Sequence, residues 1–199
     1  MLNGLGDDAC ELLTKAPLTP ASALRSSRVI PDAGGIYAFW FSDIPPLVSA
    51  AGTLNRDGYR LLYVGIAPKA PSRAGKVSSS TVRTRLRTHV RGRIARSTLR
   101  RTLASLLADN LGLALRLNHK QKPVMTDQHE AALTHWIAAC SCVTWHVMPE
   151  AWKLEDALIS SGPRLPLNIK GSSDSFASEL QSLRAIRVMR PPSRTPTSP

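Results

Sequence analysis

The spacing of apolar positions changes several times along this chain of 199 residues, and each change marks a different element. Gly35–Phe41 is apolar at every position and rich in aromatic and β-branched side chains between Gly34 and Pro45, so it reads as a strand. Arg60–Ile66 reads as a second strand and Cys142–Met148 as a third, ended by Pro149. Asn55-Arg56-Asp57-Gly58 is turn chemistry, with Asp-Gly its strongest part. An antiparallel pair joined by a long loop is therefore expected, with Tyr37 and Tyr63 in one neighbourhood.

Elsewhere the helical period takes over. Val82, Leu86 and Val90 recur at i, i+4, i+8 and predict an apolar stripe, with Ser80 or Thr81 as the N-cap. Arg85 and His89 share another face of that helix. Further helices are expected over Thr98–Ala108, Asp127–Ala139, Trp152–Ser160 and Phe176–Ile186, the third stopped by Gly162 and Pro163. Ala67–Ser80, rich in Pro, Ser, Gly and Lys, reads as a loop. Residues 1–30 read as an N-terminal extension with one short helix near Asp7–Lys15, stopped by Pro17 and Pro20. Residues 31–187 form the domain, and the Pro-, Ser- and Thr-rich stretch 188–199 reads as a disordered tail.

Hydrophobic residues make up 43% of the chain, enough for an ordinary core. No apolar run approaches the roughly 20 residues that cross a bilayer, so a membrane partner is not expected. The first twenty residues carry Asp7, Asp8 and Glu11 and no basic leader pattern. Three cysteines without a disulfide-like spacing suit a reducing cytoplasm.

Charge changes the picture most. The formal net charge is +12, and the segment Gly58–Ala108 holds twelve Lys or Arg and no Asp or Glu. Everything outside that segment sums to zero. A block of this kind is an electrostatic footprint for a polyanion, and ten of its twelve cations are Arg, whose planar fork matches phosphate oxygens. Lys69, Arg73, Lys76, Arg83, Arg87, Arg91, Arg93, Arg96, Arg100 and Arg101 are its candidate nucleic-acid contacts, DNA being the expected partner.

Hydrolysis of a phosphodiester needs a nucleophilic water, a base for its proton, cations for the developing charge, and help for the leaving oxygen. Glu155 is a candidate metal ligand, because Mg²⁺ takes oxygen donors and often only one or two carboxylates. Arg85 can hold a phosphate bidentately. Tyr37 or Tyr63 can take the proton if positive charge lowers a phenol pKa of about 10. His89 can polarise the water or reach the phosphate. Singly, each has a bland explanation: strand aromatics for the tyrosines, a hydrogen-bonded histidine, a solvated carboxylate, and turn chemistry for Asn168 after Pro166. His129, His135, Cys140, Cys142 and His146 lie within eighteen residues and offer zinc-ligand types, but Cys140-Ser141-Cys142 lacks the usual C-x₂₋₄-C spacing.

The ordered combination is more specific than its parts. Gly35-Ile36-Tyr37, then Tyr63-Val64-Gly65, then Arg85 with His89 four residues on, then Leu154-Glu155-Asp156-Ala157-Leu158-Ile159, then Pro166-Leu167-Asn168 resemble the GIY-YIG nucleases over roughly residues 34–171. The second motif carries Val where the family has Ile. The resemblance implies an α+β fold, a small three-stranded antiparallel sheet flanked by helices. It also implies an endonuclease using one Mg²⁺ or Mn²⁺ ion held by Glu155, with Tyr37, Tyr63, Arg85, His89, Glu155 and Asn168 catalytic and Gly35 and Gly65 as motif glycines. By the same resemblance Tyr37 is the preferred general base, Tyr63 orients water or phosphate, and His89 supports. Ile66 stands where some members have Lys. Long spacings imply insertions at about 66–80 and 91–140, the second containing extra helices. The alternative is a binding module that keeps the fold without cutting.

Overall fold

All seven residues of β2 (Gly35–Phe41) are buried, because this strand is central in its sheet and covered on both faces. The computed structural model describes residues 11–25, 29–71, 75, 78–170, 172 and 174–189, excepting the side chains of residues 25, 155, 156, 160, 161 and 189. On one side β2 pairs antiparallel with β4 (Tyr59–Ala67), and on the other with β7 (Ser141–Val147). These three strands are the ones expected from the sequence. The expected three-stranded sheet nevertheless has five strands. The two-residue β1 (Thr19–Pro20) pairs with β7, and the two-residue β3 (Asn55–Arg56) pairs with β4, in the order β1-β7-β2-β4-β3. Strands this short show no alternation to read. A separate ribbon joins β5 (Arg116–Leu117) to β6 (Pro123–Val124). The Asp-Gly turn behaves as its chemistry dictates: Asp57 (φ 51°) and Gly58 (φ 80°) both take the left-handed region and close the β3–β4 hairpin.

The two faces of the sheet bury different side chains. Tyr37, Phe39, Phe41 and Tyr63 point toward α1 (Val82–Arg91), α2 (Thr98–Leu106), α3 (Asp127–Cys140) and α5 (Phe176–Met189). Ile36, Ala38, Trp40, Val64 and Ile66 point toward α4 (Trp152–Ser161). The expected stripe Val82, Leu86 and Val90 is the buried face of α1, and Thr81 caps that helix through a capping box with Thr84. Helix α2 and helix α3 lie between α1 and β7, where the sequence called for inserted helices.

The N-terminal segment departs from its reading as an extension. Leu13, Ala21, Leu24 and Ile30 are buried, and β1 belongs to the sheet. Residues 11–15 are helical, whereas the start of the expected helix, Asp7–Cys10, lies outside the described residues. Of the expected tail 188–199, Val188 and Met189 instead continue the last helix, and residues 190–199 lie outside the described residues.

Candidate active site

The two motif strands meet with Tyr37 directly opposite Gly65. A Cβ at Gly65 would stand 2.5 Å from the Tyr37 phenol oxygen, so only glycine leaves room for that side chain to lie across β4. A Cβ at Gly35 would stand 2.2 Å from the His146 carbonyl oxygen, which explains the first motif glycine by close backbone approach to β7. Tyr63 lies opposite Phe39, on the same face as Tyr37. A bulge follows Phe39 in the β2–β4 pairing and leaves Leu62 without an opposite residue.

Helix α1 delivers the next group. His89 is completely buried, with Nε2 2.8 Å from the Tyr37 phenol oxygen and Nδ1 2.7 Å from Ser97 Oγ. Both tyrosine rings lie 5.5 Å from its imidazole, centroid to centroid. Burial holds the His89 pKa well below the usual histidine range, and the positive charges of Arg85 and Arg100 push the same way. The ring is therefore neutral at neutral pH. Ser97 decides which nitrogen carries the proton. It is the N-cap of α2, its Oγ accepting the Arg100 N–H at 3.0 Å, and among its described contacts His89 Nδ1, at 2.7 Å, is the one group that can accept its own buried O–H. Leaving that O–H unmade would cost about 1–3 kcal/mol. The serine thus donates to Nδ1, and Nε2–H donates to Tyr37. With both ring nitrogens engaged inside the fold, His89 stands behind Tyr37. Ser97 was not a sequence candidate; its only signal is the N-cap position before an apolar run.

A cleft of about 450 Å³ opens at the outer edge of β4. Tyr37, Tyr63, Gly65, Arg85 and Asn168 line it, so the structure brings five motif residues together. Tyr37 is at its floor, while Arg85 projects from α1 and is half-buried. Lys69 and Lys170 are exposed at its rim. Lys170 and Trp152 were not candidates. Lys170 follows the Asn168 motif by two residues, and that proximity was its one available signal.

Asn168 does something more particular than the resemblance implied. Its Oδ1 accepts the Val64 N–H at 2.9 Å, and its Nδ2 donates to the Val64 carbonyl at 2.8 Å. One residue earlier, Leu167 N–H donates to the Leu62 carbonyl. The Leu167–Asn168 segment therefore stands in for a neighbouring strand along the edge of β4. Asn168 positions Tyr63 and Gly65 through the backbone between them.

Glu155 lies on α4, three residues after Trp152 and four before Ile159, both of which line the cleft. Helical periodicity puts position 155 on that same strip. Its side chain lies outside those described. Among the described residues no three His, Cys, Asp or Glu side chains cluster as a metal site.

A family model described as the GIY-YIG catalytic domain matches residues 35–186. The chain belongs to the GIY-YIG family. Neither a curated protein nor a solved structure gives a significant match. GIY-YIG domains are typically nucleases and generally depend on a divalent metal ion. No described helix is long and apolar enough to cross a membrane.

The GIY-YIG domain does not use its basic block uniformly. Arg100 is fully buried: it pairs with Glu130 at 2.8 Å and donates to the Val90 carbonyl at 2.9 Å. It ties α1, α2 and α3 together and cannot touch a nucleic acid, which corrects its place among the expected contacts. Arg83 is also engaged internally, with the Ile30 carbonyl at 2.8 Å and Asp32 at 3.2 Å. Arg93 pairs with Asp127 at the surface. Arg91 and Arg96 are exposed, and Arg87 and Arg101 half-buried. Arg73 and Lys76 lie outside the described residues.

Proposed function

We propose that the chain is a metal-dependent endonuclease that hydrolyses DNA phosphodiester bonds. The observation that supports this most is the Tyr37 phenol, held against the neutral His89 imidazole at the floor of a cleft that Arg85 also lines. Tyr37, as the phenolate left once its own proton has passed to solvent, takes a proton from the attacking water. The His89 Nε2–H, donated to the phenol oxygen, stabilises the negative charge that oxygen must carry to act as a base. Water oxygen then bonds to phosphorus as the P–O ester bond breaks, and the leaving oxygen departs to be protonated. Arg85 offers two parallel N–H groups to the scissile phosphate and balances its growing charge. Tyr63, on the same face, orients the phosphate or the water.

A hard cation suits the oxygen donors of a carboxylate, and Glu155 lies between the cleft-lining Trp152 and Ile159 in the sequence of α4. Glu155 would hold one Mg²⁺ or Mn²⁺ ion, which when bound supplies Lewis-acid stabilisation of the phosphate charge. Lys69, Lys170, Arg91 and Arg96 would attract the backbone without reading base sequence.

The test is cleavage of supercoiled plasmid with Mg²⁺ or Mn²⁺ by wild type and by Glu155→Ala. Cutting by wild type alone, with DNA binding preserved in the variant, is the expected result. If the wild type leaves duplex, single-stranded and branched DNA intact, the nuclease reading fails, and salt-sensitive binding without cutting would identify a binding module.

A further inference from the structure

Away from the cleft, a second cavity of about 460 Å³ lies between α2, α5 and the β5–β6 ribbon. Leu117, Pro123 and Val188 form apolar walls, and Arg101 and Arg184 both line it, with Gln181 one turn before Arg184. Among the described residues neither guanidinium has a carboxylate or carbonyl partner. Their neighbours are treated differently. Arg100 has Glu130, and Arg187, one turn beyond Arg184, has Asp109. Burial, and after it the neighbouring charge of Arg101, hold the Arg184 pKa down to about 10. A fold that keeps such a pair without an internal counter-charge gains from an anion that bridges it.

We infer that Arg101 and Arg184 form a second phosphate-binding site, which holds the sugar–phosphate backbone of the nucleic acid beside the cleft. The phosphate would take two forked donors, and the apolar walls would exclude competing water. Helix α2 links this site to the cleft. Thr98 lines the cleft and Arg101 lines the cavity, about 4.5 Å further along the same helix. The two sites thus share one helix as a common wall. That the anion is a nucleic-acid phosphate rests on the nuclease reading; the existence of an anion site does not.

Two measurements test it on wild type, Arg184→Gln and Arg101→Gln. The first is DNA affinity against salt, by fluorescence anisotropy on a short duplex with EDTA present so that nothing is cut. Each variant should bind about tenfold more weakly at low salt, and the slope of log K against log salt should shrink by about one. The second is thermal melting in sodium phosphate against sodium chloride of equal ionic strength. Phosphate should raise the wild-type midpoint and leave that of Arg184→Gln unmoved. Without phosphate the variant should melt no lower than wild type, since removing one of two repelling cations relieves the fold. Stabilisation by phosphate with an unchanged DNA slope would overturn the backbone assignment and leave a site for a free phosphate anion. If phosphate gives no stabilisation and the slope is unchanged, there is no anion site. If the wild type binds no DNA at all, the nuclease reading has failed, and the melting data still decide the pocket.

Discussion

His89 and Tyr37 stand 52 residues apart in the chain, yet Nε2 of one lies 2.8 Å from the phenol oxygen of the other in a fully buried contact. The imidazole belongs to α1 and the phenol to β2, so the contact exists only once helix and sheet have packed. Tyr37→Phe removes the oxygen and keeps the ring. Its expected effect is a loss of roughly 10²–10⁴ in kcat, together with a loss of about 1–3 kcal/mol in stability because the buried His89 Nε2–H is left without its acceptor. His89→Gln should lower kcat in the same direction by a smaller factor and shift the alkaline or neutral limb of the pH–rate profile. An unchanged profile would remove His89 from the mechanism.

Protonation of His89 should be visible in stability. Its pKa is depressed in the folded state by burial and by Arg85 and Arg100, and returns to about 6.5 on unfolding. Below that value the unfolded chain binds a proton that the folded chain refuses. Stability is therefore fully present above about pH 6.5 and is lost as pH falls toward the depressed value, at up to about 1.4 kcal/mol per pH unit. Urea titrations at pH 7.5 and 5.5 should show this loss in wild type, reduced in His89→Gln. Equal losses in both proteins would mean that His89 is not the titrating group.

Gly65→Ala puts a methyl group where the Tyr37 ring now lies. The ring must move, because the alternative is a contact of 2.5 Å with its oxygen. Overpacking of this kind costs about 1–3 kcal/mol, and displacement of Tyr37 from His89 should reduce cleavage at least as much as Tyr37→Phe does. Cleavage assays alongside thermal melting separate the two effects. Full activity would show that Tyr37 has another workable position.

Glu130 and Arg100 provide a test of stability remote from the cleft. Glu130 accepts from Arg100 and, through its other oxygen, from the Ile94 N–H at 2.9 Å. Glu130→Ala leaves a buried guanidinium without its counter-charge and should destabilise the fold by about 3–5 kcal/mol. Arg100→Met removes that charge too but strands Glu130, so it should be comparably harmful; the double variant Arg100→Met, Glu130→Leu should recover much of the loss. Chemical denaturation reads all three. Additive losses in the double variant would mean the two side chains do not interact.

Asn168 separates positioning from chemistry. Asn168→Asp can still accept the Val64 N–H but presents an acceptor to the Val64 carbonyl, where the amide donated. It should destabilise β4 by about 1–3 kcal/mol and cost activity through Tyr63 and Gly65. If the variant is fully stable yet inactive, Asn168 touches the reacting groups after all.

Local chemistry made much of this protein legible before folding. The aromatic run Gly35–Phe41, the Asp57-Gly58 hairpin turn and the Val82–Leu86–Val90 stripe each follow from short-range rules, and each appears as expected. The motif residues Tyr37, Tyr63, Arg85 and Asn168 do converge on one cleft. What needed the tertiary structure was every property set by a distant neighbour. A two-residue strand such as β1 has no pattern of its own and exists because β7 offers it an edge. Arg100 reads like any other cation of the basic block until packing surrounds it and Glu130 pairs with it. His89 is held neutral, with Tyr37 on one side of its ring and Ser97 on the other, only because burial and partners from outside its own helix act on it. Sequence determines which groups the chain carries and which short elements they prefer. Burial and hydrogen-bond partnership are relations between segments far apart, and those relations decide which cations are free for phosphate and which nitrogen of His89 holds the proton.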